Sequence, residues 1–244
     1  MNARATLATT GRVLRQLRRD PRTLALVLFV PPALLTIFRY VFDSQPQTFD
    51  RVGAPMVGIF PLVSMFLVTS VAMLRERTTG TLERLMSMPI GKVDLLAGYA
   101  LAFAALAVVQ AALASVVAFG ALSLDVKGSF WIVFAFAVAN AVLGMALGLL
   151  LSAFARTEFQ AVQFMPAAIL PQILLCGLLA PRERMAPVLR WLSSALPMTY
   201  AYDGLARASA GRSGGRIAVD AAVISGAALI ALGLGAATLR RRTP

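Results

Sequence analysis

The sequence has 244 residues, of which 59% are apolar and 14% charged, and its mean hydropathy is +0.77. Soluble domains carry about 25% charged residues, so this composition excludes an ordinary water-soluble domain and favours an integral membrane protein. Lys and Arg number 23 against 11 Asp and Glu, which gives a net charge of +12. The absence of His excludes Ser-His, Cys-His and HExxH chemistry.

Six stretches are long and apolar enough to cross a bilayer, which takes about 20 apolar residues in a helix. They are continuous and rich in Ala and Leu, whereas the strands of a membrane barrel alternate in polarity. The sequence therefore predicts an all-α integral membrane fold with six transmembrane helices within residues 23–239. The predicted spans are residues 23–42, 55–74, 95–122, 129–154, 161–180 and 217–239.

Basic residues predict the orientation of the chain. Six Arg precede the first span, which predicts a cytoplasmic N-terminus, and six crossings return the basic tail 240–244 to the same side. The Arg-rich stretch between the fifth and sixth spans argues against this orientation. We keep it because residues 161–180 are too apolar to remain in water. Segment 1–22 reads either as an amphipathic helix on the inner leaflet or as a disordered basic tail.

The interiors of the predicted spans contain no carboxylate, although ion-driven carriers usually keep an ionisable group at membrane depth. The chain also contains no G-x-x-x-x-G-K-[ST] phosphate loop. If it moves a solute uphill, the energy is expected from a partner. The alternatives are an ATP-independent membrane carrier and a non-transport intramembrane assembly protein.

The connection between the second and third predicted spans, residues 75–94, contains an amphipathic pattern. Leu82, Leu85 and Met86 fall on one helical face, and Pro89 and Gly91 end the element. Such a helix either docks in a groove of a partner or packs on the protein's own spans as a connector. The pattern alone favours the connector.

Three segments resemble one known family. The run from Glu76 to Ile90 is similar to the cytoplasmic E-R-x-x-G-T-L-E-x-L-x-x-x-P-[IV] segment of type-2 ATP-binding-cassette (ABC) transporter permeases, which are mostly exporters. Residues 163–181 resemble that family's fifth span, Q-x-x-P-x-x-x-x-P-x-x-L-x-x-G-x-x-x-P. Residues 196–206 resemble the P-x-T-Y-x-x-[DE]-x-L segment that follows it. The three matches occur in order along nearly the whole chain.

The resemblance implies six spans with both ends inside and a dimer with a second permease copy, identical or related. It also implies a separate ATPase subunit that binds the cytoplasmic loop through its coupling helix. ATP and Mg²⁺ are then expected on that partner, with no cofactor, metal or catalytic residue on this chain. The residues expected to couple to the ATPase are Glu76, Arg77, Gly80, Thr81, Leu82, Glu83, Arg84, Leu85, Met86 and Pro89. Thr81, Leu82, Leu85 and Met86 would form the buried contact.

The resemblance further implies two short external helices within residues 182–209 that re-enter the outer leaflet. Their expected marker residues are Trp191, Pro197, Thr199, Tyr200 and Asp203. The family's basic residue directly after the P-x-T-Y-x-x-[DE]-x-L pattern is displaced here to Arg207.

Polar residues and prolines on the fifth predicted span are candidates for a substrate path: Gln163, Phe164, Pro166, Pro171 and Gln172. Hydrogen bonding between helices is the alternative role for the two glutamines. A path lined mainly by Phe, Leu, Met and Ala suits an amphiphile such as a drug, a lipid or a secondary metabolite. The sequence thus predicts an exporter permease of a bacterial cytoplasmic membrane, in contact with lipid and without a nucleic-acid partner.

Overall fold

The computed structural model describes residues 2–87, 91–212 and 214–238, and these residues form helices and connections without a β-strand. A π-helical turn, Val117–Ala121, extends α5, and a 3-10 turn, Arg182–Arg184, precedes α8. The α-helices are α1 (Ala3–Arg19), α2 (Pro21–Val41), α3 (Pro46–Thr78), α4 (Thr81–Met86), α5 (Lys92–Val116), α6 (Phe130–Leu151), α7 (Glu158–Leu175), α8 (Pro187–Ala195), α9 (Pro197–Ser209) and α10 (Gly215–Ala237). The all-α prediction is confirmed for the described residues.

Five helices are long and apolar enough to cross a membrane, namely α2, α3, α5 with its π-helical extension, α6 and α10. They correspond to the first four and the last of the predicted spans. The helix α3 is longer than predicted, since it begins at Pro46 and continues to Thr78. Glu76 and Arg77 therefore belong to this helix and do not lie in a loop.

The fifth predicted span, 161–180, corresponds to α7, which is shorter than expected. This helix has 18 residues and ends at Leu175, and Gly177 adopts a φ of 101°, which a continuing α-helix excludes. Glu158, Gln160 and Gln163 also lower its hydropathy, and α7 is not among the five apolar helices. The predicted end at residue 180 is wrong, and a sixth crossing depends on α7.

Contacts near the ends of the helices define the two ends of the bundle. At the α4 end, Arg75 of α3 pairs with Glu158 of α7 at 2.7 Å. At the opposite end, the backbone N–H of Asp125 donates to Asp50, and the N–H of Lys127 donates to the carbonyl of Ser209 at 2.9 Å. The first and last described helices both reach the α4 end of the bundle. The helix α1 packs on α5 there, and Gly235 near the end of α10 lies beside Leu96 of α5 and Leu150 of α6.

The long helix α3 forms the centre of the fold and packs most extensively against α6. Two glycines of α6 make this contact close: a Cβ on Gly144 would overlap the carbonyl of Leu62, and one on Gly148 would overlap Thr69 and the carbonyl of Phe66. Small residues allow helix backbones to approach in this way. The Gly144–Gly148 face therefore serves a contact within the chain.

The N-terminal segment is a helix docked on α5. The N–H of Asn2 donates to Asp94 at 3.0 Å, and the hydroxyl of Thr10 donates to the carbonyl of Gly98 at 3.1 Å. Gly98 is required because a Cβ there would lie 2.9 Å from the carbonyl of Thr6. The disordered-tail alternative is thus wrong. The outer face of α1 exposes Leu7 beside basic residues, as an amphipathic surface helix does.

The close α3–α6 contact can be tested by comparing the same Gly→Ala substitution at a glycine inside the contact and at a helical glycine outside it. We expect Gly144→Ala to lower the free energy of unfolding in detergent by about 1–3 kcal/mol, because the added methyl group meets backbone that cannot move away. Gly226→Ala on α10 meets open space and should be neutral or slightly stabilising. Equal stabilities of the two variants would contradict the close contact.

Candidate functional site

The predicted coupling segment, residues 75–94, is described except for residues 88–90. The helix α3 ends at Thr78, and Gly80 adopts a left-handed φ of 70° that turns the chain into α4. Glycine suits this position because residues with a Cβ rarely adopt positive φ. The predicted amphipathic helix is present but is limited to the six residues of α4. Pro89 lies outside the described residues.

The apolar face of α4 packs on the protein itself. Leu82 is 3% exposed in a cluster with Val13, Met73 and Tyr99, and Leu85 and Met86 are half-buried against the same cluster. Glu83, Arg84 and Ser87 are exposed, and Thr81 is half-buried. Leu82, expected as a partner contact, is therefore covered by this chain, while the opposite face of α4 lies at the surface.

Glu76 joins three helices at the α4 end. Its Oε1 accepts hydrogen bonds from Arg12 at 3.3 Å and from Gln16 at 3.1 Å. Arg12 also donates to the hydroxyl of Tyr99, and its guanidinium lies over the Tyr99 ring at 5.5 Å from the centroid. Glu76 is only 9% exposed. This residue, expected to couple to the ATPase, ties α1, α3 and α5 together in what we call the Glu76 cluster (Arg12, Gln16, Glu76 and Tyr99). Glu76 and Tyr99 are buried in it, Arg12 is half-buried and Gln16 is exposed.

Sequence reasoning did not find Arg12 and Tyr99 as partners of Glu76. Arg12 faces inward and contacts α3 and α5. The sequence feature that could have indicated such partners is the position of Glu76 at the end of an apolar span, because a buried carboxylate needs a partner. Arg77 is half-buried, and its Nε and Nη2 have no hydrogen-bond partner among the described residues.

The candidate path helix α7 has one face covered by the chain and one face open. Ala161 and Ile169 are buried, and Phe164 and Pro166 are half-buried. The open face carries Phe159, Val162, Gln163, Leu170, Pro171 and Leu174. Gln172 donates to the carbonyl of Ala168 in its own helix at 2.9 Å. Gln163 and Pro171 thus share a mostly apolar outer surface, whereas Gln172 forms a hydrogen bond within its own helix.

The region between α7 and α10 contains the two expected short helices, α8 and α9. Trp191 is 77% exposed on α8 among other exposed apolar residues, and Pro197 opens α9. Thr199 is buried and donates to the carbonyl of Ser193 at 2.6 Å, and the Tyr200 hydroxyl donates to the carbonyl of Ser194. Trp191 therefore faces outward, while Thr199 and Tyr200 fasten α9 to α8.

Asp203 lies at the centre of a buried ion-pair network. It accepts from Arg182 and, at 3.2 Å, from Arg207, which also pairs with Asp220 at the start of α10. Burial raises the pKa of the Asp203 carboxyl, although both arginines act to lower it. The displaced basic residue Arg207 thus links α9 to α10.

A family model for ABC-2 type transporters matches residues 4–208, from α1 to the last turn of α9. The chain belongs to the ABC-2 type transporter family. This confirms the resemblance to ABC-2 permeases and makes the chain a multi-pass membrane protein of that family.

Among ABC-2 relatives, ABC transporter G family member 20 of Dictyostelium discoideum is 28% identical over 167 residues, 68% of this chain and 23% of the relative. The probable multidrug ABC transporter permease YbhS of Escherichia coli K12 is 28% identical over 163 residues, 66% of this chain and 43% of the relative. YbhR of the same strain, with the same description, is 28% identical over 139 residues. The chain thus spans less than half of each of these relatives.

Arg75 and Glu76 are neighbours on α3 and each forms an ion pair, so the coupling energies of an exposed and a largely buried pair can be compared. In a double-mutant cycle on unfolding free energy, Glu76→Gln and Arg12→Met should couple by roughly 1–3 kcal/mol, since the pair is largely desolvated. Arg75→Met and Glu158→Gln should couple by at most about 1 kcal/mol, because both side chains are more than half exposed. Equal coupling energies for the two pairs would contradict the buried cluster.

Proposed function

We propose that this chain is the permease subunit of an ATP-driven exporter that moves an amphiphilic substrate, such as a drug, a lipid or a secondary metabolite, across or out of a bacterial cytoplasmic membrane. A separate ATPase subunit would bind ATP and Mg²⁺ and drive alternating conformations. One observation carries the proposal: α4 has an exposed surface on one side. On its other side it packs through Leu82 against residues of α1, α3 and α5, which the Glu76 cluster also joins. Membership of the ABC-2 family supports it.

The proposed topology has six crossings, with both termini and α4 on the cytoplasmic side. Two observations support α7 as the fifth crossing. It begins at the α4 end, where Glu158 pairs with Arg75, and it runs toward α8, where the carbonyl of Leu175 accepts from Ser193. A helix of 18 residues is about 27 Å long, close to the ~30 Å of the hydrocarbon core. Short helices that re-enter the outer leaflet would complete this crossing.

The proposed ATPase contact uses the exposed side of α4. Glu83, Arg84 and Ser87 lie at the surface, with Thr81, Leu85 and Met86 partly accessible beside them. Leu82 would act from within, because it anchors α4 to the cluster that contains Tyr99. Force on α4 would then reach α1, α3 and α5 through packed contacts.

The proposed dimer with a second permease copy uses the open face of α7. This face exposes Gln163 and Pro171 among apolar residues. Gln163 offers a polar group and Pro171 can bend the helix, and both are accessible to a second copy or to a substrate. The copy is either identical or a related permease. YbhS and YbhR carry descriptions as probable multidrug permeases, which supports an amphiphilic substrate class.

The six-span topology predicts opposite accessibility for two introduced cysteines. In a Cys176→Ser background and intact cells, a membrane-impermeant maleimide should label Glu183→Cys, because the 3-10 turn is external. It should label Ser87→Cys only after permeabilisation, because α4 is cytoplasmic. Labelling of position 183 only after permeabilisation would show that α7 does not cross.

The α4 contact predicts a site-specific capture of the ATPase. A photo-crosslinking residue at Arg84 in native membranes should capture a protein that contains a G-x-x-x-x-G-K-[ST] phosphate loop. The same residue at Arg190, exposed on α8 at the other side of the molecule, is the matched control. Capture of such a protein equally from both positions, or from neither, would refute the assignment of α4.

A further inference from the structure

A cavity of about 490 Å³ lies among α1, α2, α3, α4 and α5. Its lining changes in polarity along α3, since Leu67, Val68 and Val71 line the part inside the span and Glu76 and Thr79 line the part near α4. The volume is within the range of about 300–1,000 Å³ that small-molecule sites occupy. The cavity therefore has room for a ligand with a polar head and an apolar body.

The apolar lining extends from the polar end of the cavity into the span. From Leu67 to Glu76, α3 rises by about 14 Å, which is close to half of the ~30 Å hydrocarbon core. Phe103 and Val13 extend the apolar lining on α5 and α1. An apolar chain that enters beside α4 would thus reach the middle of the membrane.

The polar part of the cavity contains two carboxylates, Glu76 and Asp20. Arg12 pairs with Glu76 through Oε1 at 3.3 Å, so the free acceptor of this carboxylate is Oε2. That atom is buried with no hydrogen-bond partner in the described part of the chain, although Oε1 is satisfied. Hydrogen bonds from Thr23 lower the pKa of the Asp20 carboxyl and keep it charged. The basic lining residue Arg75 is already paired with Glu158.

We propose that this cavity binds an amphiphile whose head is a protonated primary amine, with the ammonium group at Glu76 and Asp20 and the apolar chain along Leu67, Val68 and Val71. A primary ammonium donates N–H hydrogen bonds to a carboxylate, which a quaternary ammonium cannot do. Gln16 and Thr79 line the same part of the cavity and offer further acceptors.

This site is separate from the proposed substrate path. Among the described residues that line the cavity, none belongs to α7. The proposal also does not require that the chain transports the amphiphile, so its test is independent of transport activity. The amine has two possible sources, an aminophospholipid of the inner leaflet or a soluble cationic amphiphile.

Native mass spectrometry of the purified full chain tests the proposal in two arms. The lipid arm compares phosphatidylethanolamine with phosphatidylcholine in nanodiscs, and the soluble arm compares dodecylamine with dodecyltrimethylammonium in detergent. Each pair differs in the head by methylation of nitrogen. We expect the primary amine to be retained about tenfold better in at least one arm, as a charged hydrogen bond requires. The arm that shows it identifies the source.

Three variants locate the binding. Glu76→Gln should lower the preference for the primary amine toward unity, because it removes one of the two carboxylates at the ammonium site. Val71→Phe should fill the apolar part and reduce retention of the amine about tenfold, without altering any charge. Val30→Phe, on the exposed face of α2, should behave as the unmodified protein. Thermal unfolding of each variant confirms that it is folded.

The following results would overturn the proposal. Equal retention of primary and quaternary amines by the unmodified protein in both arms would exclude amine recognition, whatever the variants do. Identical retention by Val71→Phe and Val30→Phe would place the amphiphile elsewhere. Loss of the bound amine when the ATPase binds, with a crosslink from position 76 to that protein, would assign the cavity to a protein segment instead.

Discussion

The burial of one carboxylate organises the end of the molecule that carries α4. Glu76 lies at the end of a long apolar helix, and an isolated charge buried there would be costly. Arg12 and Gln16 satisfy its Oε1, and Arg12 reaches the hydroxyl of Tyr99. Because these partners come from α1 and α5, the cost of burial is offset only when three helices are assembled. The cluster therefore determines where the N-terminal helix docks.

The same arrangement would give α4 the mechanical role proposed above. Its apolar side is anchored through Leu82 in the cluster that contains Tyr99, and its polar side lies at the surface. Gly144 and Gly148 bring α6 into backbone contact with α3, so a displacement of α3 would be transmitted to a second span. At the opposite end, Arg207 ties α9 to α10 through Asp203 and Asp220. Ionic links that are largely removed from solvent thus connect elements at both ends of the bundle.

Hydropathy predicted five spans that the structure has as long apolar helices, because bilayer thickness imposes a length that a single sequence reveals. It misplaced the boundaries at α3 and α7. The helix α3 continues past its apolar residues because Glu76 finds partners on other helices, and no local pattern encodes those partners. The helix α7 stops at Leu175, where Gly177 takes a positive φ. The resemblance located α4, α8 and α9. It did not indicate that Glu76 and Leu82 are buried within the chain, since their burial depends on α1 and α5.

The most direct test of the account is a distance measurement across the spans in the complex with the ATPase. Spin labels at Val93 on α5 and Trp131 on α6, both exposed, report on the two ends of the bundle. The account predicts that ATP changes this distance in the unmodified protein, and that Arg12→Met with Glu76→Gln abolishes the change while the ATPase remains bound. An unaltered ATP-induced change in that double variant would contradict the claim that force from α4 reaches the spans through the Glu76 cluster.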